Sequence, residues 1–267
     1  MHRAPAVAGR FYPAHPRTLA RDLDAYIVTG VPREHALGCV VPHAGIMYSG
    51  HVAGAVYGRL EPAPTYILLC PNHTGRGRPL AIMSAGEWET PLGSVPIDES
   101  VAAALKGACG SLEEDAEAHR FEHSLEVQLP FLQHRQKDFR FVPIAVGTSA
   151  YAQLDELGRA LAAVIESAAV RPLLVASSDL NHYEPDEVNR AKDRKAIDRI
   201  LALDPHGLYE TVHRERITMC GYGPATAMLT AVCALGAREA ELIRYATSGD
   251  VTGDRSAVVG YAGILVR

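Results

Sequence analysis

Gly38-Cys-Val-Val-Pro42 followed by His43, Tyr66-Ile-Leu-Leu-Cys-Pro-Asn72 followed by His73, and Pro172-Leu-Leu-Val-Ala176 followed by Ser177-Ser178-Asp179 share one design. Each is a short apolar run that stops at a turn-forming residue and then presents a polar side chain. Short runs rich in Val, Ile and Leu and bounded by Pro, Gly or Ser read as buried strands. In open α/β sheets, ligands bind outside the carboxyl ends of the strands, where side chains distant in sequence converge. His43, His73, Asp179, His182 and Cys220 are therefore expected to meet at one end of one sheet. The two imidazoles should lie within about 10 Å of each other if both are to reach one ion through metal–nitrogen bonds of about 2 Å.

Working outward, residues 139–146, 239–247 and 257–266 also read as strands, and 79–97 as short strands and turns. Helical spacing predicts helices over 16–28, 50–60, 122–133, 153–167, 185–203 and 223–235, with a further one opening at 97–100 on an Asp98 cap. Leu125, Leu129 and Leu132 supply the apolar face of the 122–133 helix. Strand and helix patterns alternate without repeat, linker or low-complexity block. The predicted fold is α/β: a single three-layer domain over 1–267, with a central mixed sheet flanked by helices.

The chain has 267 residues, 48% of them apolar and 21% charged, as in an ordinary globular protein. Its net charge of −5 gives no electrostatic reason to expect nucleic acid or an anionic membrane as a partner. No apolar stretch is long enough to span a bilayer. The start, Met1-His-Arg-Ala-Pro-Ala-Val-Ala-Gly9, lacks the apolar region of a signal peptide. Five cysteines, odd in number and without a CxxC pair, suggest reduced thiols and a cytoplasmic location.

Neutral imidazole is a common metal ligand, and a Pro/Gly-bounded loop at a strand end can fix its direction. Cys220, in Met219-Cys-Gly-Tyr-Gly-Pro224, reads either as a small buried apolar residue or as a thiolate favoured by the helix that starts just after it. Asp179 and His182 read either as a helix cap and a surface imidazole or as an acid/base pair. Glu122 and His123, in His119-Arg-Phe-Glu-His-Ser-Leu-Glu126, open a helix or stand behind a ligand and hold it in place. A cysteine hydrolase built on Cys220 and His182 is a third reading, but no separate oxyanion motif accompanies it. The Gly- and Asp-rich stretch 247–255 could form a substrate loop. It has neither EF-hand nor Walker spacing.

Taken in order, Ala8-Gly-Arg-Phe-Tyr-Pro13, Val41-Pro-His-Ala-Gly45 with Tyr48-Ser-Gly50, Pro71-Asn-His73, Trp88-Glu-Thr-Pro-Leu-Gly93, Glu122-His-Ser-Leu-Glu126, Ser177-Ser-Asp179 with His182, and Gly249-Asp250 span nearly the whole chain. In these motifs the sequence resembles the Memo family, called protein B of the AmmeMemoRadiSam system in prokaryotes. That family looks like the class III extradiol (LigB-type) dioxygenases in fold. The resemblance implies a non-haem metal held by His43, His73 and Cys220, with Fe(II) foremost and copper or zinc as alternatives. A thiolate stands where the dioxygenases place a carboxylate, so metal preference and redox potential differ and ring cleavage does not follow from the fold. The resemblance also implies a proton-transfer role for His182 beside Asp179, and a ligand pocket lined by Tyr48, Glu122 and His123. Two functions follow as expectations: an Fe(II)-dependent oxidoreductase of dioxygenase type, or a non-catalytic protein that binds a peptide or redox metal in the same pocket. The ligand is a small molecule or a peptide, and radical-SAM and AMMECR-type proteins are the implied pathway companions.

Overall fold

The computed structural model describes all 267 residues. One apolar cluster of 71 buried residues runs through the molecule, so it has a single folding core. The large sheet has nine strands. Its centre is four parallel strands lying side by side in the order Gly38–Val41, Leu173–Ser177, Thr65–Pro71 and Arg140–Val146. Nearly every residue in them is buried, as a parallel sheet covered on both faces requires. Val258–Val266 closes one side antiparallel to Gly38–Val41, and itself pairs with Ala240–Thr247 and His182–Glu184. Leu80–Ile82 lies antiparallel to Arg140–Val146 on the other side and pairs with Glu113–Glu114. A small separate sheet joins His2–Arg3, Glu87–Thr90 and Gly93–Pro96.

Helices cover both faces. A Cβ on Gly38 would meet Met228 and Val232 of helix Tyr222–Ala234, whereas one on Gly263 would meet Val52 and Val56 of helix Ile46–Arg59. Gly38 pairs with Val266, and Gly263 stands three residues before it, so the two glycines point to opposite faces and fix the three layers. Gly54 permits a close approach between helices. A Cβ there would lie 2.2 Å from the Tyr26 carbonyl oxygen at the end of helix Pro16–Tyr26.

Two expectations change. The predicted helix over 122–133 starts only at Gln128 and ends at Arg135. Pro130 has no N–H to give the Glu126 carbonyl, and the Glu122 side chain takes the Ser124 N–H, so residues 122–123 are irregular and 124–127 form turns. A helix over Pro205–Arg214 stands where none was predicted. Asp204 caps it through the Gly207 N–H and Pro205 occupies its first turn.

Candidate metal centre

The parallel strands end at Val41, Pro71 and Ser177. The residues just beyond them bring His43, His73 and Asp179 together, with the imidazole centroids of His43 and His73 5.3 Å apart. His43 is fully buried, and its Nδ1 lies 2.9 Å from Ser177 Oγ. That hydroxyl spends its single proton on the Ser124 carbonyl at 2.6 Å and accepts from Gln128 Nε2 at 2.9 Å. Gln128 is oriented in turn, because its Nε2 also donates to the Pro42 carbonyl and its Oε1 accepts from the Tyr57 hydroxyl. The proton between His43 and Ser177 must therefore sit on His43 Nδ1, which leaves Nε2 as a bare lone pair.

His73 is set by the same logic with a charged partner. Its Nδ1 donates to Glu122 Oε1 at 2.9 Å and its backbone N–H to Oε2 at 2.6 Å. Glu122 is wholly buried and also accepts from the Ser124 N–H and hydroxyl. Burial works against its charge, but the His73 hydrogen bond and charge and the Ser124 N–H hold its carboxyl down at about 2. Burial likewise lowers the His73 imidazole, yet Glu122 outweighs it and the net shift is upward. With both oxygens committed, Glu122 does not reach a pocket. The expected substrate contact is instead a carboxylate that fixes an imidazole from behind.

Cys220 arrives from the loop before helix Tyr222–Ala234. Its Sγ is 3.2 Å from His43 Nε2 and accepts the Asp179 N–H at 3.3 Å. The loop comes this close because residue 221 is glycine. A Cβ there would lie 2.4 Å from both the Ser177 carbonyl oxygen and Ser178 Cβ. The expected lowering of the thiol by the helix start is absent. Burial, with the Asp179 charge next, pushes Cys220 well above the ordinary thiol value.

His123 completes a set of three imidazoles with His43 and His73, whose ligand atoms all lie within 4.8 Å of one another. Its ring stacks on His73 with centroids 4.7 Å apart and packs against Phe11 at 4.5 Å. Sequence reading grouped His123 with Glu122 as a supporting or substrate residue. No local pattern could show that a turn far from the strand ends folds it onto them.

Asp179 is buried and accepts the backbone N–H groups of His43 and Ala44 at its Oδ1. Its Oδ2 is 4.0 Å from His43 Nε2. Burial raises its carboxyl, against those hydrogen bonds. His182 is not hydrogen-bonded to Asp179. Its Nδ1 donates to the Thr218 carbonyl at 3.0 Å and its N–H to Thr218 Oγ1 at 2.7 Å. A carbonyl only accepts, so His182 Nδ1 carries a proton, and Nε2 is the ring atom not tied to Thr218. Behind it, Asn181 Oδ1 accepts from Thr218, and buried Asp193 accepts from the Asn181 N–H, Asn189 Nδ2 and the Tyr245 hydroxyl. A β-bulge between His182 and Glu184 turns the strand here, and Tyr183 sits in the left-handed region at φ 61°. Strain of this kind in a bulky residue clusters at functional sites.

Tyr48 lines a cleft of about 370 Å³ with Tyr183, Ser248, Asp254 and Tyr261. Like Ala44, next in chain to His43, it packs against a small apolar cluster of Val52, Ala246 and Tyr261. A cleft of about 660 Å³ between residues 1–6 and 116–121 touches none of the centre's side chains.

A family model described as Memo-like protein matches residues 3–265. The chain belongs to the Memo family. A MEMO1 family protein of Methanosarcina barkeri is 45% identical over 267 residues, covering 99% of this chain and 100% of its own. Another from Methanopyrus kandleri is 45% identical over 281 residues, covering 100% and 99%. The crystal structure of an uncharacterized protein from Escherichia coli K12 superposes with a TM-score of 0.62 at 16% identity, covering 85% of this chain and 98% of that one, and so shares the fold. The motifs of this Memo family chain sort by place. Val41–Gly45, Pro71–His73 and Ser177–Asp179 build the strand ends, whereas Tyr12, Trp88 and Glu126 belong to a clamp on the N-terminal segment. No helix is long and apolar enough to cross a membrane.

Proposed function

We propose that this Memo family protein is a non-haem metal protein, with Fe(II) the foremost ion and copper or zinc as alternatives, held by His43, His73 and Cys220. The observation that carries this is the shared orientation of the two histidines. Each donates its Nδ1 proton, to Ser177 or Glu122, which leaves Nε2 as the ring atom for an ion, and His43 Nε2 stands beside the Cys220 sulfur. Sulfur and imidazole nitrogen bound to one ion at about 2.3 and 2.0–2.1 Å stand roughly 3–3.6 Å apart. The 3.2 Å between Cys220 Sγ and His43 Nε2 fits that span.

A bound ion of this kind supplies Lewis-acid or redox chemistry next to a substrate. The chain's own groups provide the rest. Asp179 fixes the His43–Ala44 loop through two backbone N–H groups. His182, with Nδ1 tied to Thr218, offers Nε2 as the atom that takes or gives a proton. Tyr48 lines a cleft with Tyr183, next in chain to His182, and a small molecule or peptide is the ligand this reading assigns to it. This arrangement supports an oxidoreductase of dioxygenase type. The second reading, a non-catalytic protein that binds a peptide or sequesters redox metal, uses the same ligands and is favoured by the burial of His43, which suits retention of an ion.

Oxygen uptake by the Fe(II)-loaded protein, tested with catechols and thiols, separates the two. The oxidoreductase reading expects uptake by the wild type, and its loss in His182→Ala with metal content unchanged. Loss of metal from a folded His182→Ala would place His182 among the ligands, and no uptake with any of these compounds would favour the binding protein.

A further inference from the structure

The ligand-type side chains of this centre are held differently. His43 and His73 are each locked by a hydrogen bond from Nδ1. His123 makes no such bond. Its Nδ1 is 3.4 Å from Glu122 Oε1, beyond good hydrogen-bond length for a charged acceptor. It is placed by ring contacts alone, lying between Phe11 and His73 and edge-on to His43 at 5.5 Å. Stacking fixes the plane of a ring far better than its rotation within that plane. His123 is thus the one imidazole here that can swing a nitrogen toward a shared ion without breaking a hydrogen bond.

Two three-ligand sets therefore overlap on His43 and His73. One adds the Cys220 sulfur, 3.2 Å from His43 Nε2. The other adds His123, whose ligand atom lies within 4.8 Å of those of His43 and His73. Nitrogens on one ion at about 2.0–2.1 Å are roughly 3–3.4 Å apart, so this second set must contract by about 1–2 Å. The unpinned ring is the member able to close that gap. The sets differ in chemistry: a thiolate suits soft ions such as Cu(I), whereas three imidazoles suit Zn(II) and other borderline divalent ions.

We propose that His123 is an exchangeable third ligand that takes the place of Cys220, so that the centre retains a divalent ion when the thiolate is not available. This rests on the metal-centre reading above and adds a ligand to it.

The test is Co(II) binding by the reduced, anaerobic full-length chain, read by titration and by the thiolate-to-cobalt charge-transfer band. Wild type, Cys220→Ala, His123→Ala and the double variant are compared, with circular dichroism checking the fold. His123→Gln repeats the measurement if His123→Ala does not fold. Wild type and His123→Ala should bind one ion per chain and show the band. Cys220→Ala should lose the band yet still bind one ion, weakened by no more than about 10–100-fold, the cost of losing a supporting group rather than a sole third ligand. The double variant should lose binding. The inference is overturned if Cys220→Ala is as empty as the double variant, or if the double variant binds as well as Cys220→Ala. A wild type that takes up no Co(II) would overturn the metal-centre reading itself, and the two failures are thereby told apart.

Discussion

His73 and Glu122 hold each other in opposite charge states, and this coupling sets how the centre responds to pH. Glu122 has its carboxyl lowered to about 2, so its contribution to stability is complete above the ordinary glutamic acid value of about 4.5 and fades as pH falls through about 2. The His73 imidazole is raised, so its contribution is complete below the ordinary value of about 6.5 and fades as pH climbs through the raised one. The pair therefore stabilises the metal-free fold fully between about pH 4.5 and 6.5. A cation must displace the proton on His73 Nε2 and, at Cys220, a thiol proton held by burial and the Asp179 charge. Metal affinity should rise as pH climbs through and beyond the His73 value, as competition titration with a chelator can measure; a flat profile would contradict this. At Gly221, an alanine Cβ would lie 2.4 Å from the Ser177 carbonyl, so Gly221→Ala should move Cys220 and weaken the thiolate-to-cobalt band in a chain that stays folded. An unchanged band would show that the close approach does not position the sulfur. The strand-end residues are legible in the sequence because an apolar run and a Pro or Ser precede each. The Gln128–Ser177 pair and the approach of His123 are not, since they depend on which elements the fold later stacks together.

Between elements, the N-terminal segment acts as a clamp on the turn that carries Glu122 and His123. Buried Arg3 donates to Glu126 and to the carbonyls of His119 and Glu122, and lies 3.9 Å over the Trp88 ring. Glu126, fully buried, also accepts the Ala6 and Val7 N–H groups and the Tyr12 hydroxyl. Arg3→Ala leaves that carboxylate without its cation and frees two carbonyls, which should cost about 3–5 kcal/mol in urea unfolding. A loss below about 1 kcal/mol, the worth of an exposed pair, would show that the clamp carries little stability. The motifs of this clamp are visible in the sequence as Ala8–Pro13, Trp88 and Glu126, but their partnership crosses more than a hundred residues and has no periodic signature. Helix Pro205–Arg214 was different: Asp204-Pro205 is a readable start signal, obscured by the long charged helix Asp186–Leu201 before it. Over 122–127 the Leu spacing fits a helix even though Pro130 and the Glu122 carboxylate, which takes the Ser124 N–H, redirect the backbone.

Across the whole molecule, the parallel strands decide where the candidate centre lies. Four of them end on one side of the sheet, and their order places the Gly38–Val41 and Thr65–Pro71 strands on either side of Leu173–Ser177. His43 and His73 thus flank the Ser177–Asp179 end, and the Cys220 loop closes over it through Gly221. The alternation of strand and helix patterns was enough to predict this architecture, because buried parallel strands leave continuous apolar runs in the sequence. Metal binding by His43 and His73 underlies every role proposed for this centre. Its most direct test is elemental analysis of anaerobically purified, Fe(II)-loaded chain, comparing wild type with His43→Ala and His73→Ala and checking each fold by circular dichroism. One ion per chain in the wild type and substantial loss in both folded variants is the predicted result. Retention of metal by both variants at wild-type stoichiometry and affinity would contradict it.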